Sequence, residues 1–469
     1  MNLYLAFTRP WYILPLGWLF LANYGVSSAI AEDTFTGVPP DTSTPDTSSF
    51  SLAAEKKDLI LEEALYLALQ HNPELAALDK EVRALEGTIL QAGLLRNPEL
   101  SVNVDNAGNM GNIQRPGTSI NPTIKGNVEQ QDLIVRVSQL IELGGKRAAR
   151  VHAASLGQEL AGKDYETKRL ELAARVANGF IEVLAGQEQL KLAEESQQLA
   201  QRVVDTVSKR VQAGKAPPIE ETKVGVAFST TRIALGQAQR ELASARKRLA
   251  FLWGDSLPEF GKVLGDLQAS VTLPTYEALV EFALSSPMAD RAKKGIEHRE
   301  ALLEVERAQR VPNITIGGGV IKHWESGGTL ALVGISMPLQ LFDRNQGNLR
   351  EAHQRVNKAL DEQIATDLRL KTELAQTYEA LSATQNEIRV LRNEILPAAR
   401  SAFEVTNKGY ELGRFSFLEV LDAQRTLFQN QILHVRALAN YQRLVNEIER
   451  LIGRPLDRVL NHELPIAAL

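Results

Sequence analysis

"LGRFSFLEVLDAQRTLF", Leu412 to Phe428, breaks a long helical pattern at a glycine and restarts it at once with two carboxylates three residues apart. At an offset of 199 residues, "AGKAPPIEETKVGVA" (Ala213–Ala227) has the same build. Lys209, Gly214, Lys215, Ile219 and Glu220 fall on Lys408, Gly413, Arg414, Leu418 and Glu419, and Gly254 falls on Gly453. A break that occurs twice is part of the architecture.

The correspondence extends outward. An offset of 198 lays "VRVSQLIEL" (Val135–Leu143) on "VGISMPLQL" (Val333–Leu341) and Lys146 on Arg344. An offset of 214 lays Glu63-Ala64-Leu65 on Glu277-Ala278-Leu279, Pro73 on Pro287, Arg96 on Arg310 and Pro98 on Pro312. The loop between these two blocks is therefore 16 residues longer in the first copy (214 less 198). The chain is a tandem duplication, with repeats expected at 58–259 and 260–469.

Each repeat runs in the same order. It opens on a helix start, "HNPEL" or "SSPMA", where Asn72 or Ser286 can cap and proline takes the first helical position. A helical run then ends near Arg96 or Arg310. Two alternating stretches follow around a loop rich in glycine and asparagine: Leu100, Val102 and Val104 alternate with Ser101, Asn103 and Asp105, the period of a strand with one apolar face. "DLIVRVSQL", "PNITIGGGV" and "LALVGISMPL" supply the other strands of two hairpins. Beyond them a helical pattern runs without proline from Lys146 to Ala213, about 100 Å at the α-helical rise. Its counterpart, from about Gln346 to Leu412, is interrupted only by Pro397, which predicts a kink or a join. Both turn at a glycine and return as helices ending near Gly254 and Gly453.

The N-terminus reads as a secretory signal over 1–31: Arg9, an apolar run from Trp11 to Val26, and "SSAIA" before Glu32. Its removal takes away one cation and no acid, moving the net charge from -5 to -6, which offers nucleic acid no basic surface. The Thr-, Ser-, Pro- and Asp-rich stretch that follows predicts a disordered leader over 32–57. Cysteine is absent, so thiolate catalysis, Cys-based metal sites and an N-terminal lipidated cysteine are all excluded.

Nothing after residue 31 offers the apolar run of a spanning helix, so a membrane-embedded form must use a closed β-barrel. Four strands cannot close one, and several chains would have to share it. The alternative is a soluble sheet packed on the helices.

Together, "LEEALYLALQHNPELAAL", "LIELGGKRAARV", "ILPAAR" and "FSFLEVLDAQRTLF", in this order and duplicated, resemble the TolC-type outer-membrane efflux proteins from about Leu59 to Pro455. The segment "IELGGKR" is most similar to the branch serving cobalt, zinc and cadmium efflux. The resemblance implies a mainly α fold in which long helical hairpins form an α-barrel. It further implies a homotrimer whose four strands per chain make a 12-stranded transmembrane β-barrel. Its setting would be outer-membrane lipid, with the helices in the periplasm. Partners would be a periplasmic adaptor and an inner-membrane pump of the resistance-nodulation-division type.

Other motifs give less. "GGKR" at Gly144 is no phosphate loop, because Leu140 stands where the first glycine belongs and Arg147 where Ser or Thr belongs. The seven histidines form no HExxH or closely spaced pair, and no catalytic constellation or cofactor motif is present. Ser416 and Glu419 spell a capping box. The resemblance makes Glu419 and Asp422 the acids ringing the periplasmic mouth, with Tyr410 helping to hold it closed. Phe415 occupies the position of the companion arginine, with Arg414 adjacent. The turns Gly214-Lys215 and Gly413-Arg414 are the expected adaptor-contact tips. A duct for drugs or secreted proteins, or a soluble periplasmic coiled-coil scaffold, stands as the alternative.

Overall fold

The computed structural model describes residues 57–105, 132–268, 273–323 and 327–456; the expected signal and leader lie outside them, except for Lys57. The first repeat contains α1 (Leu61–His71), α2 (Pro73–Gly93), β1 (Glu99–Asp105), β2 (Asp132–Ile141), α3 (Lys146–Gln212) and α4 (Pro218–Phe251). The second contains α5 (Tyr276–Leu284), α6 (Pro287–Gln309), β3 (Ile314–His323), β4 (Thr329–Ser336), α7 (Gln346–Val390), α8 (Leu396–Glu411) and α9 (Phe417–Ile452).

The strands form one antiparallel sheet in the order β1-β2-β3-β4, so the two hairpins meet where β2 pairs with β3. The register puts Leu100 opposite Val137 and Val102 opposite Val135, which in turn faces Val320. On the other face Ser101 meets Arg136 and Asp105 meets Asp132, with Ile134 and Ile321 paired between them, so that face is mixed. The apolar face is uncovered, with Leu100 68%, Val102 58% and Val333 81% exposed. Among the described residues no helix is long and apolar enough to cross a membrane.

α3 is an unbroken helix of 67 residues and forms the spine. Its Leu172, Val176, Phe180 and Val183 pack with Leu242, Ala245 and Leu249 of α4 and with Val435 and Leu438 of α9. Gly179 and Gly186 let the backbones approach, since a Cβ on either would lie 3.3 Å from Leu249 or Leu242. A second cluster joins Leu279 and Met288 to Leu370, Leu374 and Leu381 of α7 and Tyr441, Val445 and Ile448 of α9. Because α3 and α9 touch both repeats, the two halves pack as one body.

The counterpart of α3 is continuous but not uniform. A π-helical turn, Leu391–Ile395, joins α7 to α8 just before Pro397. Proline has no N–H to give and its ring crowds the carbonyl four residues back, and a wider turn accommodates both.

The helix starts differ between repeats. Asn72 Oδ1 accepts from Leu75 N at 3.0 Å, while its Nδ2 donates to the Leu252 carbonyl at 2.8 Å, so one buried amide caps α2 and ties it to the end of α4. Ser286, expected to cap α6, makes no such bond, and its buried hydroxyl has no partner among the described residues. Asn72→Ala loses both bonds and should destabilise the protein by about 2–3 kcal/mol. Asn72→Ser, which retains capping chemistry without the reach to Leu252, should lose about half as much. Thermal unfolding of the detergent-solubilised protein reads the order, and equal shifts for the two variants would remove the tether from the account.

Candidate functional site

The ends of α3 and α8 close in the same way. Gly214 (φ 73°) and Gly413 (φ 71°) take the left-handed conformation open to glycine. Lys215 N donates to the Arg210 carbonyl and Arg414 N to the Gly409 carbonyl, both at 2.8 Å, which satisfies carbonyls that the helix leaves free. Beside the turns the paired residues Ile219 and Leu418 are apolar yet 56% and 58% exposed.

Immediately above the second turn the two repeats are clasped together. Tyr410 is buried, its hydroxyl donates to Glu220 Oε2 at 3.2 Å, and its ring packs 5.9 Å from that of Phe417. The Arg210 guanidinium lies 4.5 Å from the Tyr410 ring centroid, and its Nη1 donates to the Tyr410 carbonyl. Val203, Val207, Val224 and Val420 surround the group with apolar packing. Burial pushes the Tyr410 phenol above its ordinary pKa, the Glu220 carboxylate adds to that, and Arg210 opposes both. The phenol therefore stays a hydrogen-bond donor through the physiological range. One cation, one carboxylate and one neutral donor, drawn from both repeats, hold α3, α4 and α8 together.

The cation packed against Tyr410 is not Arg414. Phe415 packs so closely on Gly409 that an added Cβ there would sit 2.0 Å from its ring, and Arg414 is exposed. Arg210, from the first repeat, supplies the charge. Its offset partner is Gly409, next to Tyr410, and that adjacency was the available signal. Glu220 was also missed as a site residue. Its counterpart Glu419 forms the capping box, accepting from Ser416 N at 2.6 Å. In the first repeat Pro217 takes the cap position and has no backbone N–H to donate to Glu220, which is therefore available to Tyr410.

Asp422 is exposed one turn beyond Glu419 and makes no hydrogen bond among the described residues. It edges a groove of about 730 Å³ between α4 and α9, lined by Leu418, Leu421, Phe428 and Ile432 with Thr230 and Thr231. No cluster of three or more His, Asp or Glu suited to a metal ion occurs among the described residues. His323 Nδ1 pairs instead with Asp132 Oδ1 at 2.5 Å across the sheet.

With this geometry established, comparison with known proteins is specific. The family described as "Outer membrane efflux protein" matches residues 64–255 and 281–454, one block per repeat. The chain belongs to the outer membrane efflux protein family. It is 35% identical over 92% of its length, and 98% of the relative's, to the cobalt-zinc-cadmium resistance protein CzcC of Cupriavidus metallidurans. It is 26% identical over 59% of its length, and 62% of the relative's, to the cation efflux system protein CusC of Escherichia coli K12. In three dimensions it superposes on the outer membrane protein VceC of Vibrio cholerae with a TM-score of 0.67 at 19% identity, covering 84% of this chain and 96% of that one. A crystal structure of CusC gives 0.68 at 20% identity, covering 84% and 92%. The fold is that of the outer-membrane channels, a helical barrel continued by a β-barrel. Members of the outer membrane efflux protein family are channels of tripartite pumps, working as trimers with an adaptor and an inner-membrane pump.

The clasp gives a direct expectation for this family member. Tyr410→Phe and Glu220→Gln should each lower thermal stability, and the double variant should lose less than the sum, with a coupling of about 1 kcal/mol. Full additivity would mean that the phenol and the carboxylate do not act on each other.

Proposed function

We propose that this chain is the trimeric exit duct of an efflux pump that exports divalent metal cations, with its helices in the periplasm and its sheet in outer-membrane lipid. The carrying observation is the sheet: four antiparallel strands with an uncovered apolar face and with β1 and β4 each paired on one side only among the described residues. Such a sheet fits a barrel completed by further copies, twelve strands from three chains. The similarity to CzcC over nearly the whole of both chains supports metal cations as cargo, and supports a pump of the resistance-nodulation-division type with its adaptor as partners. The sequence signal and the two repeats, 58–259 and 260–469, fit this reading.

The tips Gly214-Lys215 and Gly413-Arg414 are the proposed adaptor contacts, and the exposed Ile219 and Leu418 beside them offer the apolar surface such a contact needs. The clasp of Tyr410 with Arg210 and Glu220 is the proposed fastening of the periplasmic mouth. Asp422, with Glu419 one turn nearer the tip, is the proposed source of negative potential there. Confined carboxylates near a common axis favour cations over anions.

Deleting the gene should raise cellular cobalt, zinc or cadmium severalfold in metal-challenged cells, with the wild-type chain restoring export. Unchanged metal content together with raised sensitivity to organic toxins would sink the metal reading and leave a drug duct. For the mouth, Asp422→Asn with Glu419→Gln should leave the trimer folded and reduce cation preference, read as the reversal potential of single channels in a salt gradient. Glu419→Gln alone should do little, since glutamine still serves in the capping box. An unshifted reversal potential in the double variant would take both acids out of the pore.

A further inference from the structure

Each joint between strand and long helix carries a cluster of three cations, two of them matched by the duplication. At the first joint Arg96, Lys146 and Arg150 surround Glu142. Arg150 Nη1 is 2.7 Å and Arg96 Nε 3.8 Å from its Oε1, and these neighbours hold the Glu142 carboxyl below its ordinary pKa. At the second joint the cluster is Arg310, Arg344 and Arg350; Arg310 and Arg344 are the offset counterparts of Arg96 and Lys146, whereas Arg150 falls on Asn348, two residues before Arg350. The offset that lays Lys146 on Arg344 lays Glu142 on Gln340. The carboxylate has been replaced by an amide.

The second joint therefore lacks the carboxylate that the first one pairs with its cations. Among the described residues Arg310, Arg344 and Arg350 form no ion pair, and the Gln340 amide donates to the Gln309 carbonyl at 3.4 Å. The nearby acids are engaged with Asn345: Asp343 Oδ1 accepts from its backbone N at 2.9 Å and Glu306 Oε2 from its Nδ2 at 2.6 Å. The three guanidiniums line a cavity of about 600 Å³ with Leu341, Phe342 and His353, and no carboxylate lines it. Phe342 is 91% exposed, and Leu339 and Leu341, which connect it to β4, are 72% and 63% exposed.

Guanidiniums without an ion pair among the described residues, next to bare apolar surface at the end of a strand whose face is apolar, match an amphiphilic anion. The geometry points to a binding site for the headgroup of an anionic phospholipid, its phosphate among Arg310, Arg344 and Arg350 and its chains along Phe342 and β4. This rests on the outer-membrane reading given above. Zwitterionic lipid carries a compensating cation and fits less well.

The test is native mass spectrometry of the full-length assembly in mild detergent, titrated separately with phosphatidylglycerol, phosphatidylcholine and inorganic phosphate. The wild-type chain should retain phosphatidylglycerol in preference to phosphatidylcholine. R310Q/R344Q/R350Q should weaken that retention about tenfold or more. Gln340→Glu, which restores the carboxylate of the first joint and keeps every arginine, should weaken it as well. Unchanged retention in the triple variant overturns the site, as does binding of inorganic phosphate with no preference for the lipid. Dissociation of the triple variant in lipid-free detergent would assign the arginines to a contact between copies and also overturn it. A wild-type chain that fails to fractionate with the outer membrane would instead bring down the reading beneath it.

Discussion

A β-sheet can enter hydrocarbon only if every backbone N–H and C=O along its edges is paired, because no water is present to take the place of a missing strand. The four strands here satisfy that condition between β1 and β4 but not at their outer edges among the described residues. Much else in the molecule follows from it. A sheet that must be completed by other copies fixes the number of chains around an axis. The helices leaving the strands must then run side by side along that axis, which is why a 67-residue helix can exist without curling into a globule. Its packing comes from neighbours lengthwise, and the buried Leu172, Val176 and Phe180 mark that seam within the chain.

Duplication supplies the frame, and divergence supplies the chemistry. Asn72 ties a helix start to α4 where Ser286 cannot. Glu419 caps its own helix, while Glu220, placed after a proline that cannot cap, receives the hydroxyl of Tyr410. At each pair the backbone is conserved in form and one side chain has changed its partner. The ties described here lie at positions where the two copies disagree.

Much of this was legible in the sequence because the signals are local. The alternation of Leu100, Val102 and Val104, the proline-free run after Lys146 and the glycine breaks each report the backbone within a few residues of themselves. The capping box was read correctly for the same reason. Arg210 was not found, because its contact with Tyr410 depends on how two helices two hundred positions apart pack at their tips, which no local period encodes. Ser286 has the residue type and the extended backbone of a cap, yet its buried side chain, beside Gly453, makes no cap bond among the described residues. The proline at 397 announced an irregularity, but a π-helical turn and a kink answer the same steric problem, and only the neighbouring helices choose between them.

The clasp also bears on symmetry. Arg210 and Glu220 come from one repeat and Tyr410 from the other, and their offset counterparts are Gly409, Glu419 and Val211. In a ring built from single, unfused repeats every subunit would carry the same side chain at each site. Arg210 and the glycine that accommodates Phe415 would then compete for one position around the circle, and Tyr410 and Val211 for the next. Fusing two repeats into one gene halves the rotational order of the ring and lets alternate positions evolve apart. The tie between the halves is a donor-acceptor arrangement that a fully equivalent ring of the same helices has no means to encode.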